Sequence, residues 1–291
     1  MDKPLLSPLN DYVFKRFFTD GPDGPRLLHH FLQSVRPMAE EEYAGMTIID
    51  PAFRAHKAHD KLPILDIKLR TASDILIDLE VQQAFQHFFD KRLAYYTGRM
   101  YVDKLRSGDN YDKLRLAISI VVADFVLFKD RVRHHHFRMY DEQSRTAYPE
   151  FMEIHTLEIP KRWKDDISPL GLWMRFFAAR TEEEFMSLAR IEPVMEQGWK
   201  VIRELSADEE ARFLAEAQEK YRRDIDAYYQ TGIIEGEARG EARGEARGEA
   251  RGEAKRSRDI AQRLLQRGLP IDMIAEDTGL TLDQVQELRQ Q

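Results

Sequence analysis

Ile64-Leu65-Asp66-Ile67-Lys68-Leu69-Arg70-Thr71-Ala72-Ser73-Asp74-Ile75-Leu76-Ile77-Asp78-Leu79-Glu80-Val81-Gln82 is the stretch on which the reading of the chain turns. Apolar and polar residues alternate on both sides of Thr71-Ala72-Ser73-Asp74, the pattern of two strands joined by a tight turn. Strand side chains alternate faces, so Asp66, Lys68 and Arg70 share one side of the first strand. Asp78, Glu80 and Gln82 share one side of the second, and Ile75, Ile77, Leu79 and Val81 line its other side. A three-residue loop of Ala72, Ser73 and Asp74 pairs Thr71 with Ile75 and sets Asp66 opposite Glu80. Opposed residues in an antiparallel pair have Cβ atoms about 4.5–5.5 Å apart, within reach of a shared divalent ion. Two carboxylates so placed without a cation would repel, and one would take up a proton. An ion held there lowers the pKa of bound water and stabilises charge developing on a phosphate under attack. Gln82 can position the water or the ion through its amide oxygen, and Lys68 can neutralise a phosphate oxygen. Spacing alone leaves a second reading open, a surface hairpin with an ordinary polar face.

Outward from the hairpin, Asn10–Phe18 and Pro25–Val35 read as short helices separated by Asp20-Gly21-Pro22-Asp23-Gly24. Strands are expected at Thr47–Phe53, Leu62–Arg70 and Asp74–Gln82, then a helix from Ala84 to Arg106 on the spacing of Phe85, Phe88, Phe89, Tyr96, Met100 and Leu105. Leu116–Phe125 is nearly all apolar, as a strand covered on both faces would be. Further strands are expected at His134–Tyr140 and Phe151–Ile159, with helices beyond Pro160. The order ααβββαβ describes an α/β domain with a mixed central sheet flanked by helices. Arg92, Tyr96 and Arg99 share a helix face and suit phosphate contact, or equally a packed tyrosine beside solvent-facing arginines. His134, His135 and His136 alternate sides of a strand, so these three do not converge on one metal, and a structural role is expected.

Glu235–Lys255 repeats Gly-Glu-Ala-Arg with a period of four. In a helix this stacks Glu over Glu and Arg over Arg, and each Gly costs roughly 1 kcal/mol against Ala, so a hinged or partly helical linker is expected. After it come Ile260, Leu264 and Leu265, a stop at Gly268, Pro270 opening the next helix, and a Thr281/Gln284 capping box. Ala275, Gly279 and Val285 have helix-turn-helix spacing, but Thr281–Arg289 carries Asp283 and Glu287, which suits oligomerisation or docking better than a DNA groove. The expected organisation is a core over 1–160, a helical extension over 161–234, a linker over 235–255 and a helix-turn-helix-like unit over 256–291.

The 291 residues carry a net charge of −7, unevenly spread: Pro51–Tyr140 holds 16 Lys+Arg against 11 Asp+Glu, and Asp141–Glu235 holds 13 against 21. The basic part contains the carboxylates, which is compatible with phosphate binding there. The absence of cysteine excludes disulfides, zinc–thiolate sites and cysteine nucleophiles, leaving oxygen-seeking ions as the natural cofactors. No apolar run approaches the roughly 18 residues of a membrane span and no signal peptide opens the chain, so no membrane association and a cytoplasmic location are expected.

Asp66, the Asp78-Leu79-Glu80-Val81-Gln82 run, Arg92, Tyr95-Tyr96, Leu105-Arg106-Ser107-Gly108, Tyr111 and the strand from Leu116 together resemble the recombination-promoting nuclease and transposase family of the PD-(D/E)XK superfamily. The opening Asn10-Asp11-Tyr12-Val13-Phe14-Lys15 is similar to that family's first helix, so the likeness covers about Ser7 to Phe128. It implies a restriction-endonuclease-like core with a helical C-terminal extension, and cleavage of DNA in recombination or mobile elements. Magnesium is the implied cofactor, with manganese or calcium as alternatives. By position, Asp66 and Glu80 become metal ligands, Gln82 stands where the wider superfamily has lysine, and Asp11 matches an acid near the metal, or is simply an N-terminal helix acid. Gln82 in place of lysine also leaves room for a catalytically weak or inactive module that binds DNA or protein. A third reading is an oligomeric scaffold built on the repeat and tail.

Overall fold

The hairpin forms in the expected register. In a computed structural model that describes residues 4–49, 67–103, 105–149 and 151–290, β2 (Ile67–Arg70) pairs antiparallel with β3 (Leu76–Gln82), Ile67 against Leu79 and Lys68 against Asp78. Thr71 N–H donates to the Ile75 carbonyl at 3.0 Å, and Asp74 takes a left-handed φ of 65°, as the last residue of a three-residue hairpin loop does. A short helix that the sequence pattern did not indicate, α3 (Glu40–Ala44), braces the turn: Glu42 accepts from Thr71 Oγ1 at 2.7 Å and from Ser73 N at 3.1 Å. The expected facing of Asp66 and Glu80 lies outside the described residues, as do Asp50–Phe53 and Leu62–Asp66 of the expected strands.

Among the described residues the sheet has six strands in the order β1-β2-β3-β4-β6-β5, with β1 at Thr47–Ile49, β4 at Ala117–Ala123, β5 at His134–Arg138 and β6 at Met152–Glu158. β3, β4 and β6 are parallel to one another and the outer pairings are antiparallel, a mixed sheet. All seven residues of β4 are buried, which is why that segment lacks alternation.

One face of the sheet packs on α1 (Asp11–Thr19), α2 (Gly24–Val35), α5 (Pro169–Ala178) and α7 (Pro193–Ala207) through a core that includes Ile77, Leu79, Ile118 and Ile120. Asn10 caps α1 by accepting from Tyr12 N and Val13 N, and so aims Phe14, Phe17 and Phe18 inward. Phe18 meets Phe14, Phe31 and Trp173 at centroid distances of 5.1, 5.5 and 5.8 Å, an aromatic knot joining three helices. The other face is covered by α4 (Phe89–Val102), whose Phe89 and Leu93 pack on Val121 and whose Thr97 hydroxyl meets Ser119 Oγ at 2.8 Å. α4 starts five residues later than expected. Phe85 and Phe88 mimic helical spacing, yet both are exposed, and Phe88 sits in a left-handed conformation ahead of the first turn.

Contacts divide the chain into Met1–Lys220 and Tyr221–Gln291. α6 (Glu182–Ala189) completes the helices of the first unit. α8 (Glu209–Gln266) runs without a break through the Gly-Glu-Ala-Arg tract, so where a hinged or partly helical linker was expected the tract is helical throughout. Three residues in four of that tract are strong helix formers, and a helix already established on both sides needs no new nucleus. In the second unit the end of α8, α9 (Ile271–Thr278) and α10 (Leu282–Gln290) bury Ala261, Ile274 and Val285 together. Gly268 and Gly279 take the expected left-handed caps, and Thr281 and Gln284 form the expected reciprocal bonds at 2.9 and 3.3 Å. Among the described residues no helix is long and apolar enough to cross a membrane.

Candidate active site

Pairing fixes which side chains share a face. Lys68 lies opposite Asp78 and Asp78 beside Ser119, so Asp78, Glu80 and Gln82 all point to the α4 side of the sheet. Glu80 and Gln82 stand on the C-terminal half of β3 and Asp78 just before it, and the carboxyl ends of parallel strands are where open α/β sheets place their ligand sites. The sequence pattern put Asp78 on this face without assigning it a role; in the fold it is 6% exposed. Its Oδ1 is buried with no hydrogen-bond partner among the described residues. The missing information was the β3–α4–β4 crossover, which lays a helix over an alternation that otherwise looks solvent-facing.

Burial, eased by Lys68, raises the Asp78 carboxyl to about 6. Burial and the neighbouring Asp78 raise Glu80 to about 7, with Arg92 and a 3.4 Å bond from Gln82 Nε2 pulling the other way. The two acids titrate as a pair near neutrality, an arrangement that invites either a shared proton or a cation. Asp11, at the first turn of α1, is close enough for its charge to push Glu80 further up. Gln218 from α8 donates to Asp11 Oδ2 at 3.2 Å. Thus Lys68, Asp78, Glu80, Gln82, Asp11 and Arg92 gather around β3.

Arg92, Tyr96 and Arg99 do not reach it equally. The Arg92 guanidinium lies 5.3 Å from the Phe89 ring centre and its charge is felt at Glu80. Tyr96 is 44% exposed, so the packed-tyrosine alternative fails. Arg99 is exposed and paired with Asp103 at 3.2 Å. A cavity of about 270 Å³ nearby is lined by Asn10, Gln83, Asp124, Glu216 and Glu219. Its acids would repel a phosphate backbone, so the candidate site rests on the β3 face and not on this cavity.

The three consecutive histidines split between the faces as expected. His135 joins Asp130 and Glu158 on the α4 side, while His134 and His136 lie on the other side, against His155 of β6. The pattern of residues 134–136 held no sign of His155 or Glu153, because the β5–β6 pairing that brings them together is non-local.

The donor chemistry suits a hard divalent ion: oxygen ligands, an orphaned buried carboxylate oxygen, and acids that pay a penalty for ionising alone. A family model described as PD-(D/E)XK nuclease family transposase matches residues 8–232. No curated protein matches the chain, and no solved structure does.

Proposed function

The chain belongs to the PD-(D/E)XK nuclease family transposases, and from that premise we propose that it is a divalent-metal-dependent DNA endonuclease serving recombination or element movement. The observation that carries this reading is the pairing of buried Asp78 with half-buried Glu80, with Gln82 beyond it, on the α4 face of β3. Asp66 and Glu80 are the proposed metal ligands, with magnesium the preferred ion. When bound, the ion supplies a more acidic water and a counter-charge for the phosphate.

The protein's own groups have separate tasks. Glu80 must lose its proton to act, and Arg92 eases that loss. Gln82 is proposed to orient the attacking water through its amide, a weaker device than lysine because it brings no charge. Lys68, half-buried opposite Asp78, eases the ionisation of that carboxylate through its charge and is proposed to neutralise a phosphate oxygen. Arg92, Tyr96 and Arg99 are proposed to meet the DNA backbone from α4, where Tyr96 offers an exposed ring and the arginines charge. The test is nicking of supercoiled plasmid with magnesium, manganese or chelator, by wild type and Asp66→Ala. Metal-dependent nicking lost in the variant supports the reading. A folded protein that binds DNA and never cuts it would replace this reading with a non-catalytic binding module, for which Gln82 is the motivating residue.

A further inference from the structure

The sheet face away from Asp78 and Glu80 carries a second polar cluster. Glu153 and His155 of β6 alternate with Ile154, which shares the α4 face, so both point to the α1/α2 side. His136 lies directly opposite His155 on β5, their rings stacked at 4.1 Å and 17°. His136 Nε2 and His155 Nε2 stand 3.1 and 3.5 Å from Glu153 Oε2. One ligand atom from each of the three residues falls within 4.8 Å of the others. We propose that His136, Glu153 and His155 form a transition-metal site, separate from the nuclease carboxylates and selective for imidazole-seeking ions such as zinc, cobalt or copper.

Three arguments support it. The first is size: two ligand atoms at about 2.0–2.1 Å from a tetrahedral zinc lie about 3.3–3.4 Å apart, close to both measured separations. The second is hydrogen-bond supply. Glu153 Oε2 has two lone pairs but three nitrogen neighbours, since Arg36 Nε also donates to it at 2.8 Å. An ion that takes the lone pairs of the two imidazoles removes that excess. The third is the surrounding shell. Arg36 Nη2 holds Glu153 Oε1 at 3.0 Å, and His134 Nε2 meets His155 Nδ1 at 2.9 Å. Metal-binding histidines and carboxylates are oriented by such outer partners, and a proton on Nδ1 leaves His155 Nε2 as the ligating nitrogen.

The donor set also separates this site from the first. Two neutral imidazoles and one carboxylate already balanced by Arg36 offer little to magnesium and much to borderline ions. His155 is 1% exposed, whereas the His136 side chain is 36% exposed, so an ion can enter from the β5 edge. A bound ion would tie the outer strand β5 to β6 and, through Arg36, to the end of α2.

The full-length protein, stripped by chelator, is titrated with cobalt(II) and followed by its visible ligand-field absorption. One equivalent should give an intense band of a nitrogen-containing site, which one equivalent of zinc abolishes and excess magnesium leaves in place. His136→Gln and Glu153→Gln should lose the band, His134→Asn should weaken affinity about 10–100-fold, and both Glu80→Ala and His87→Ala, the latter at an exposed histidine between β3 and α4, should retain it. His136→Gln sits on an exposed outer strand, and circular dichroism verifies that each variant is folded. No band in the wild type, or a band that survives both His136→Gln and Glu153→Gln, overturns the proposal. So does a band lost in Glu80→Ala, which would place the cobalt at the carboxylate face.

Discussion

Asp78→Asn tests whether the acid pair on β3 is held at the expense of stability. Asp78 stands at about 6 against an ordinary 3.8, and Glu80 at about 7 against 4.5. The sign follows from proton binding: the folded chain holds protons that the unfolded chain releases, so without metal these groups cost stability progressively as pH rises. The cost begins near the ordinary carboxylate values and is complete above the folded ones. At about 1.4 kcal/mol per pH unit of difference, Asp78 alone costs about 3 kcal/mol when fully ionised, roughly half of it accruing between about pH 5 and pH 8. The introduced amide brings its own penalty, of order 1–3 kcal/mol for a buried polar group short of partners, but that penalty does not depend on pH. The informative quantity is therefore the change in the mutational effect between the two pH values. It should be about 1.5–2 kcal/mol in favour of the variant at the higher pH, including the relief that Glu80 gains from losing a charged neighbour. At about 2–4 °C per kcal/mol for a unit of this size, the variant's melting temperature relative to wild type should rise by roughly 3–8 °C. Differential scanning fluorimetry in chelator at both pH values measures it. A pH-independent difference, or one that moves against the variant as pH rises, would refute the reasoning.

Other consequences follow from the same geometry. Arg92→Ala removes the cation that holds Glu80 down, so the alkaline-rising limb of nuclease activity should shift to higher pH; an unmoved limb would detach Arg92 from the site. Phe18→Ala opens the aromatic knot and should cost about 3–5 kcal/mol, read as a fall in urea midpoint with unchanged slope. Thr281→Ala breaks the α10 capping box and should cost about 1 kcal/mol, seen as faster amide exchange in Tyr221–Gln291 and not in Met1–Lys220.

The hairpin was legible because period-2 alternation and a three-residue loop are local, and the register of a hairpin depends on little else. The covered strand β4 was legible from its unbroken apolar run. The start of α4 was not, since Phe85 and Phe88 carry helical spacing while serving a connection from strand to helix. Asp78 looked like any outward acid until the crossover laid α4 over it, and His155 met His136 only through pairing of distant strands. The Gly-Glu-Ala-Arg tract misled in another way. Counting glycines and missing ion pairs judges an isolated helix, whereas this one continues a helix that packing of Ala211 and Ala215 has already started.

Single-turnover cleavage of a duplex by wild type and Glu80→Gln, at protein concentrations giving equal DNA occupancy, decides whether the Glu80 carboxylate carries the chemistry. With Glu80 as a metal ligand, the metal-dependent rate should fall more than about 100-fold in Glu80→Gln, beyond the 10–100-fold expected of a residue that only supports a ligand. Equal cleavage by the two proteins would contradict it, because a neutral amide at position 80 can neither titrate with Asp78 nor hold the ion as a carboxylate does.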